Sequence, residues 1–145
     1  MPKYECTRII RAPRAYVYYT FANMEDLPKI SNTFRAAKPL GKEGDANVFE
    51  VEMESGGRKL KGKLKRRCFQ NERIEEEVNT DISFSKNTYI FSDVPEGTKL
   101  TFAIDMTLKG ATGRLLGGLA KGSVKKMVDG DMEKGKSYLE ANKPS

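Results

Sequence analysis

From Phe34 to Leu108 the hydrophobic period switches to two and holds through the segments 34–40, 46–55, 58–69, 73–80, 87–94 and 98–108. Turn chemistry punctuates them at Gly41 and Gly44, Gly56-Gly57, Gln70 to Glu72 and Pro95-Glu96-Gly97. A period of two places alternate side chains on opposite faces of a strand. Phe49, Val51 and Met53 therefore point one way, and Glu50, Glu52 and Glu54 the other. Leu100, Phe102, Ile104, Met106 and Leu108 form a longer apolar row. Strands joined by short turns pair antiparallel, so this run predicts one continuous antiparallel sheet.

The flanks supply the helices. Tyr4 to Arg11 reads as a further strand, and Ala12-Pro13 opens a helix with Pro13 at its first position and Val17, Phe21 and Met24 on one face. Asn23 caps a second short helix, with Glu25 and Asp26 in its first turn and Leu27 and Ile30 facing inward. After Lys109 a helical stripe of Val124, Val128, Met132 and Leu139, with Leu116 and Met127 beside it, runs toward Asn142. Gly113, Gly117, Gly118, Gly122, Gly130 and Gly135 interrupt it, each costing about 1 kcal/mol against alanine in a helix interior. Such a helix must be held by packing, and its first half is expected to fray or kink. The four-residue spacings Gly113 to Gly117 and Gly118 to Gly122 suit close approach of helix to sheet. With no repeat or linker in 145 residues, residues 1–145 are expected to form a single domain.

Charge gives a weaker signal. The chain carries 26 basic and 20 acidic side chains, and its lysines cluster between Arg58 and Arg67. A nucleic-acid surface would leave those lysines unpaired among exposed aromatics. The Gly56-Gly57 turn instead sets residue 53 opposite 60, so Glu54, Glu52 and Glu50 face Lys59, Lys61 and Lys63. A second turn at Gln70 to Glu72 sets Arg67 opposite Glu75 and Lys65 opposite Glu77. The cluster thus reads as a solvated, self-neutralised sheet face, with no nucleic-acid partner. The excess positive charge lies at residues 1–45 and 109–145, where it allows transient contact with an anionic membrane surface.

Composition removes whole classes of chemistry. There is no histidine, which excludes Ser–His–Asp and Cys–His catalysis and His-ligated metal sites. Cys6 and Cys68 are too few for a disulfide framework or a four-ligand zinc site, so no metal or cofactor is expected and a reduced, cytoplasmic setting is. No apolar run suits a transmembrane segment, and the N-terminal stretch lacks a signal-peptide core. Gly130-Asp131-Met132-Glu133-Lys134-Gly135-Lys136-Ser137 matches the phosphate-binding-loop spacing. It sits in a helical segment with no strand before it, and Asp131 and Glu133 would repel phosphate, so nucleotide binding is rejected.

Strand, two short helices, six antiparallel strands and a long final helix, with Ile10-Arg11-Ala12-Pro13, Val17-Tyr18, Phe21-Ala22-Asn23, Glu25-Asp26-Leu27-Pro28 and Pro95-Glu96-Gly97-Thr98 in that order, resemble the START-like, or Bet v 1-like, superfamily. That group includes the polyketide cyclase/dehydrase and lipid-transport proteins. The resemblance implies an α+β helix-grip fold, in which a curved antiparallel sheet of about seven strands (β-α-α-β6-α) wraps the C-terminal helix. It also implies an apolar cavity for a hydrophobic small-molecule ligand such as a lipid, sterol, polyketide or quinone.

Within that frame the candidate ligand-binding residues are Phe49, Val51, Met53, Leu64, Tyr89, Phe91 and Phe102 on the sheet, with Leu116, Leu119 and Met127 on the final helix. Any one of these is equally a plain core residue. Arg66 and Glu76 break the apolar rows and fall opposite each other, and buried charges need partners. The pair suits anchoring a carboxylate, phosphate or carbonyl, or a purely structural role. Two functions stay open: a non-catalytic binding or carrier protein, and a cyclase or dehydratase with Glu76 as general base, Arg66 stabilising an enolate and Tyr89 donating a proton. A protein-partner module of the same fold is a third.

Overall fold

The computed structural model describes the backbone of residues 3–55 and 58–144 and the side chains of residues 3–54, 59–110 and 122–144. β1 spans Lys3–Ile10, α1 Arg14–Ala22 and α2 Leu27–Ile30, with a 3-10 turn at Met24–Asp26 between the helices. β2 (Phe34–Glu43), β3 (Ala46–Ser55), β4 (Arg58–Phe69), β5 (Arg73–Thr80), β6 (Ser83–Val94) and β7 (Gly97–Leu108) follow, and α3 covers Gly110–Ala141. The strands form one antiparallel sheet in the order β1-β7-β6-β5-β4-β3-β2. It is the curved sheet of the helix-grip fold, with α3 packed into its grip.

The turns set the register, as the sequence predicts. Met53 pairs with Leu60, Glu50 with Lys63, Arg67 with Glu75, Tyr89 with Phe102 and Phe91 with Leu100. The outward charges use this register differently from the expectation. The ion pairs run along and across the ladder, with Glu43 taking both Lys63 and Lys65, at 3.5 and 3.1 Å, and Asp45 taking Arg67 at 2.7 Å. β2 brings Glu43 and the following turn brings Asp45 over the lysine-rich strand, closer than the facing glutamates. Pro13 is also one position earlier than expected: it precedes the helix with an extended ψ of 143°, and Arg14 starts α1. Asn23 caps as predicted, its Oδ1 accepting from the Glu25 amide at 3.1 Å.

The core is continuous from sheet to helices. Ile10, Val17, Val51, Leu64, Ile74, Leu100 and Leu139 are fully buried, and Val124, Val128 and Met132 carry the α3 stripe into the same cluster. Polar contacts hold this helix in place despite its glycines. Tyr4 donates to Asp129 at 2.7 Å, Arg8 to Glu133 at 2.6 Å, the Arg11 amide to Glu140 at 2.8 Å and Lys136 Nζ to the Ile9 carbonyl at 2.6 Å. A Cβ on Gly135 would lie 3.2 Å from Phe21 Cζ and 3.5 Å from the Ile30 carbonyl oxygen. The close approach glycine permits is therefore toward α1 and α2 rather than the sheet. Gly122 has nothing within 4 Å of that position, contrary to the expectation, and the packing around Gly113, Gly117 and Gly118 lies outside what is described. At the opposite end Gly97, at φ 143°, lies so close to β1 that a Cβ would stand 2.5 Å from the Ile10 carbonyl oxygen. Neighbouring Thr98, fully buried, donates to the Ala12 carbonyl at 2.8 Å and ties the β6–β7 turn to the start of the chain.

Candidate functional site

Alternation on β6 turns Ser85, Asn87, Tyr89 and Phe91 to the concave face, opposite the Phe102, Ile104 and Met106 row of β7. α3 lays Met127, Val128, Asp131 and Met132 over them, and α1, α2 and the segment after them close the side with Phe21, Leu27, Ile30, Ser31, Thr33 and Phe34. These groups, with Met53 and Val78, line a partly open cavity of about 70 Å³. A single water needs about 10–15 Å³ on this measure, so the space admits several waters or one ring-sized fragment. Whole small-molecule pockets are larger, about 300–1,000 Å³.

Of the residues proposed from sequence, Met53, Tyr89, Phe102 and Met127 line this cavity. Val51, Leu64 and Phe91 are packed in the core beside it, and Phe49 is half-buried against that core. Phe91 meets the rings of Tyr18 and Phe21 at centroid distances of 5.5 and 6.0 Å, while Tyr89 meets Phe102 at 4.7 Å and Phe21 at 5.3 Å. Aromatic pairs at such separations favour the tilted and edge-on geometries seen here. The side chains of Leu116 and Leu119 lie outside the described residues.

Arg66 and Glu76 face each other across β4 and β5 and are 2% and 4% exposed. Arg66 Nη2 lies 2.9 Å from Glu76 Oε2, Arg66 Nη1 donates to the Phe21 carbonyl at 2.8 Å, and Asn87 Nδ2 donates to Glu76 Oε1 at 3.0 Å. The guanidinium thus satisfies a carbonyl at the C-terminal end of α1, where helix geometry leaves acceptors without partners. Burial acts to lower the Arg66 pKa, but the Glu76 carboxylate outweighs it, and the group is held above its ordinary value. Burial also pushes the Tyr89 phenol well above its usual range, with the Glu76 charge adding to the shift. Neither member of the ion pair lines the cavity; Asn87, which bonds to Glu76, does.

The polar wall is not evident in the sequence. Asn87, Ser85, Ser31, Thr33 and Asp131 are absent from the sequence-based candidates, and all five line the cavity. The available signal is a break in pattern: Asp131 interrupts the apolar stripe at four residues from Met127 and three from Val128. Its carboxylate accepts from Ser31 Oγ at 2.7 Å and from the Asn32 amide at 2.8 Å. The phosphate-loop-like residues 130–137 are therefore part of α3, and Lys134 from that stretch donates to the Pro28 carbonyl at 2.8 Å.

A family model described as polyketide cyclase / dehydrase and lipid transport matches residues 1–140. No curated protein matches the sequence. Among solved structures, TTHA0849 from Thermus thermophilus has 19% identity and a TM-score of 0.83, covering 97% of this chain and 98% of that one. The Zhui aromatase/cyclase from Streptomyces sp. R1128 has 14% identity and a TM-score of 0.78 over 96% of this chain and 91% of its own. Ara h 8.0201 has 15% identity and a TM-score of 0.72 over 97% and 98%. Similarities at this level of identity establish a shared fold.

Proposed function

Because the chain belongs to the polyketide cyclase / dehydrase and lipid transport family, we propose that it binds or carries a hydrophobic or amphipathic small molecule between the sheet and α3. The cavity walled by Tyr89, Phe102, Ile104 and Met127 carries this reading. Its volume of about 70 Å³ fits one end of such a molecule. Met53, Met106, Met127 and Met132 supply the means to admit more, since unbranched thioether side chains repack at low cost. A ligand is therefore expected to widen the site as it enters. The basic N- and C-terminal regions, with eight basic side chains each against five and four acidic ones, favour loading or delivery at an anionic membrane surface. Among the described residues no helix is long and apolar enough to cross a membrane.

The alternative, a cyclase or dehydratase using Glu76, Arg66 and Tyr89, draws on the placement of Tyr89 in the cavity wall. Glu76 does not line the cavity, and its two carboxylate oxygens accept from Arg66 and Asn87 rather than facing the space a substrate would enter. Binding without turnover is the reading we prefer. Native mass spectrometry of freshly purified protein, followed by organic extraction, tests it: a stoichiometric apolar molecule is expected. Protein that arrives empty and also fails to bind a neutral hydrophobic dye would overturn it.

A further inference from the structure

At Asn87 the cavity wall presents an acceptor and no donor. Asn87 is 6% exposed, and its amide nitrogen is committed to Glu76. That bond fixes the orientation of the carboxamide and leaves Oδ1 on its other side, buried and without a hydrogen-bond partner among the described residues. A buried acceptor left unmade is costly, so the site gains from any occupant that donates to it. Among the described residues the only charged side chain lining the cavity is Asp131, which is acidic. Arg66, which the sequence offers either as an anchor for a carboxylate, phosphate or carbonyl or as a structural partner, is turned to Glu76 and the Phe21 carbonyl and is not part of the lining.

From this geometry we infer that the cavity selects uncharged apolar ligands that carry a hydrogen-bond donor, an alcohol or phenol hydroxyl, which bonds to Asn87 Oδ1. Ligands whose polar end is an anion, such as fatty-acid carboxylates or phosphate esters, are discriminated against: no cation among the described lining residues meets them and Asp131 repels them. Ligands with only acceptors, such as a quinone in its oxidised form, leave Asn87 unpaired. This selectivity rests on the binding role proposed above and narrows it to one chemical class.

Three bicyclic probes of similar size test the inference on the wild-type protein: 2-naphthol, which donates; 2-methylnaphthalene, which is nearly isosteric but cannot; and 2-naphthoate, an anion. Affinities are measured by titration calorimetry and by displacement of a neutral fluorescent dye at pH 7. A donor meeting an orphaned buried acceptor predicts that 2-naphthol binds at least about tenfold tighter than either of the others. The Asn87→Leu protein should lose the preference and bind 2-methylnaphthalene at least as tightly as 2-naphthol, whose hydroxyl is then buried without a partner. Because Asn87 also supports Glu76, that variant is read only if it folds, and the wild-type ranking decides by itself. Should 2-methylnaphthalene match or exceed 2-naphthol, or 2-naphthoate bind tightest, the inferred selectivity is wrong and the binding role stands. If none of the three binds and the dye does not either, both fall together.

Discussion

Glu76→Gln removes one charge from a buried pair while keeping its shape. Arg66 is then left with a positive charge at 2% exposure, bonded to the Phe21 carbonyl and a neutral amide. Removing one partner of a buried ion pair costs about 3–5 kcal/mol. Since the Gln carbonyl can still accept, the lower end applies, about 3 kcal/mol. At roughly 2–4 °C per kcal/mol for a protein near this size, the midpoint of thermal unfolding should drop by about 6–12 °C. Arg66→Met should be similarly damaging, because it strands the Glu76 carboxylate and frees the Phe21 carbonyl. The double variant, Arg66→Met with Glu76→Gln, should be much less destabilised than the two singles combined, with a coupling energy of about 2 kcal/mol or more. Urea unfolding of the four proteins at equal m-values measures all of this. A loss below about 1 kcal/mol for Glu76→Gln, or singles that add to within about 0.5 kcal/mol, would refute the view that this pair acts as one electrostatic unit.

Asp129 is kept below the usual carboxylate range by hydrogen bonds from Lys125 and Tyr4, and Glu140 by the Arg11 backbone amide. Depressed folded-state values mean that their stabilisation is complete above the unfolded values of about 4 and is lost as pH falls through the lower folded ones. The thermal midpoint should therefore fall between about pH 5 and 3, less steeply in Glu140→Gln; identical slopes would count against the assignment. Gly122→Ala, at an exposed helical position with open space, should stabilise by about 0.5–1 kcal/mol. Gly135→Val should destabilise by about 1–3 kcal/mol, because its side chain meets Phe21 and Ile30, and chemical unfolding of the two variants should give opposite signs. Thr98→Val, which leaves the Ala12 carbonyl without its hydroxyl donor, should cost about 1–3 kcal/mol by the same assay.

Register is legible because two kinds of information agree at each turn. Gly56-Gly57 and the Gln70 to Glu72 turn set which residues pair, and the alternation of Phe49, Val51 and Met53 with glutamates sets which face is buried; a slip of one residue would invert both. That reasoning places Arg66 opposite Glu76 from the sequence alone. It also misses the first residues of β6, since Ser83, Ser85 and Lys86 have weak strand preference and read as a loop until Asn87. Asn87 itself resembles turn chemistry, and its inward position follows from pairing with Glu76 and Ile104 on both neighbouring strands. In the sequence Asp131 reads as an obstacle to phosphate rather than as a polar residue on the buried stripe. The polar side of the cavity is thus hidden for a physical reason: it is assembled from isolated residues on β6, the far end of α2 and α3, none of which forms a pattern within its own segment.

The place of β1 in the sheet also orders events in time. Lys3 pairs with Asp105 and Ile10 with Thr98, so among the described strands the first to be synthesised has its sheet neighbour in the last. The strands between are joined as successive hairpins that can form as they emerge. At about 5–20 residues per second, β1 waits roughly 5–20 s for β7. During that interval Cys6 and Ile10, both buried in the finished protein, remain uncovered on a chain whose other strands are already pairing. The seam between β1 and β7, which Gly97 and Thr98 lock, is therefore the last part of the sheet to close during synthesis, and it is where an emerging chain is most exposed to wrong partners.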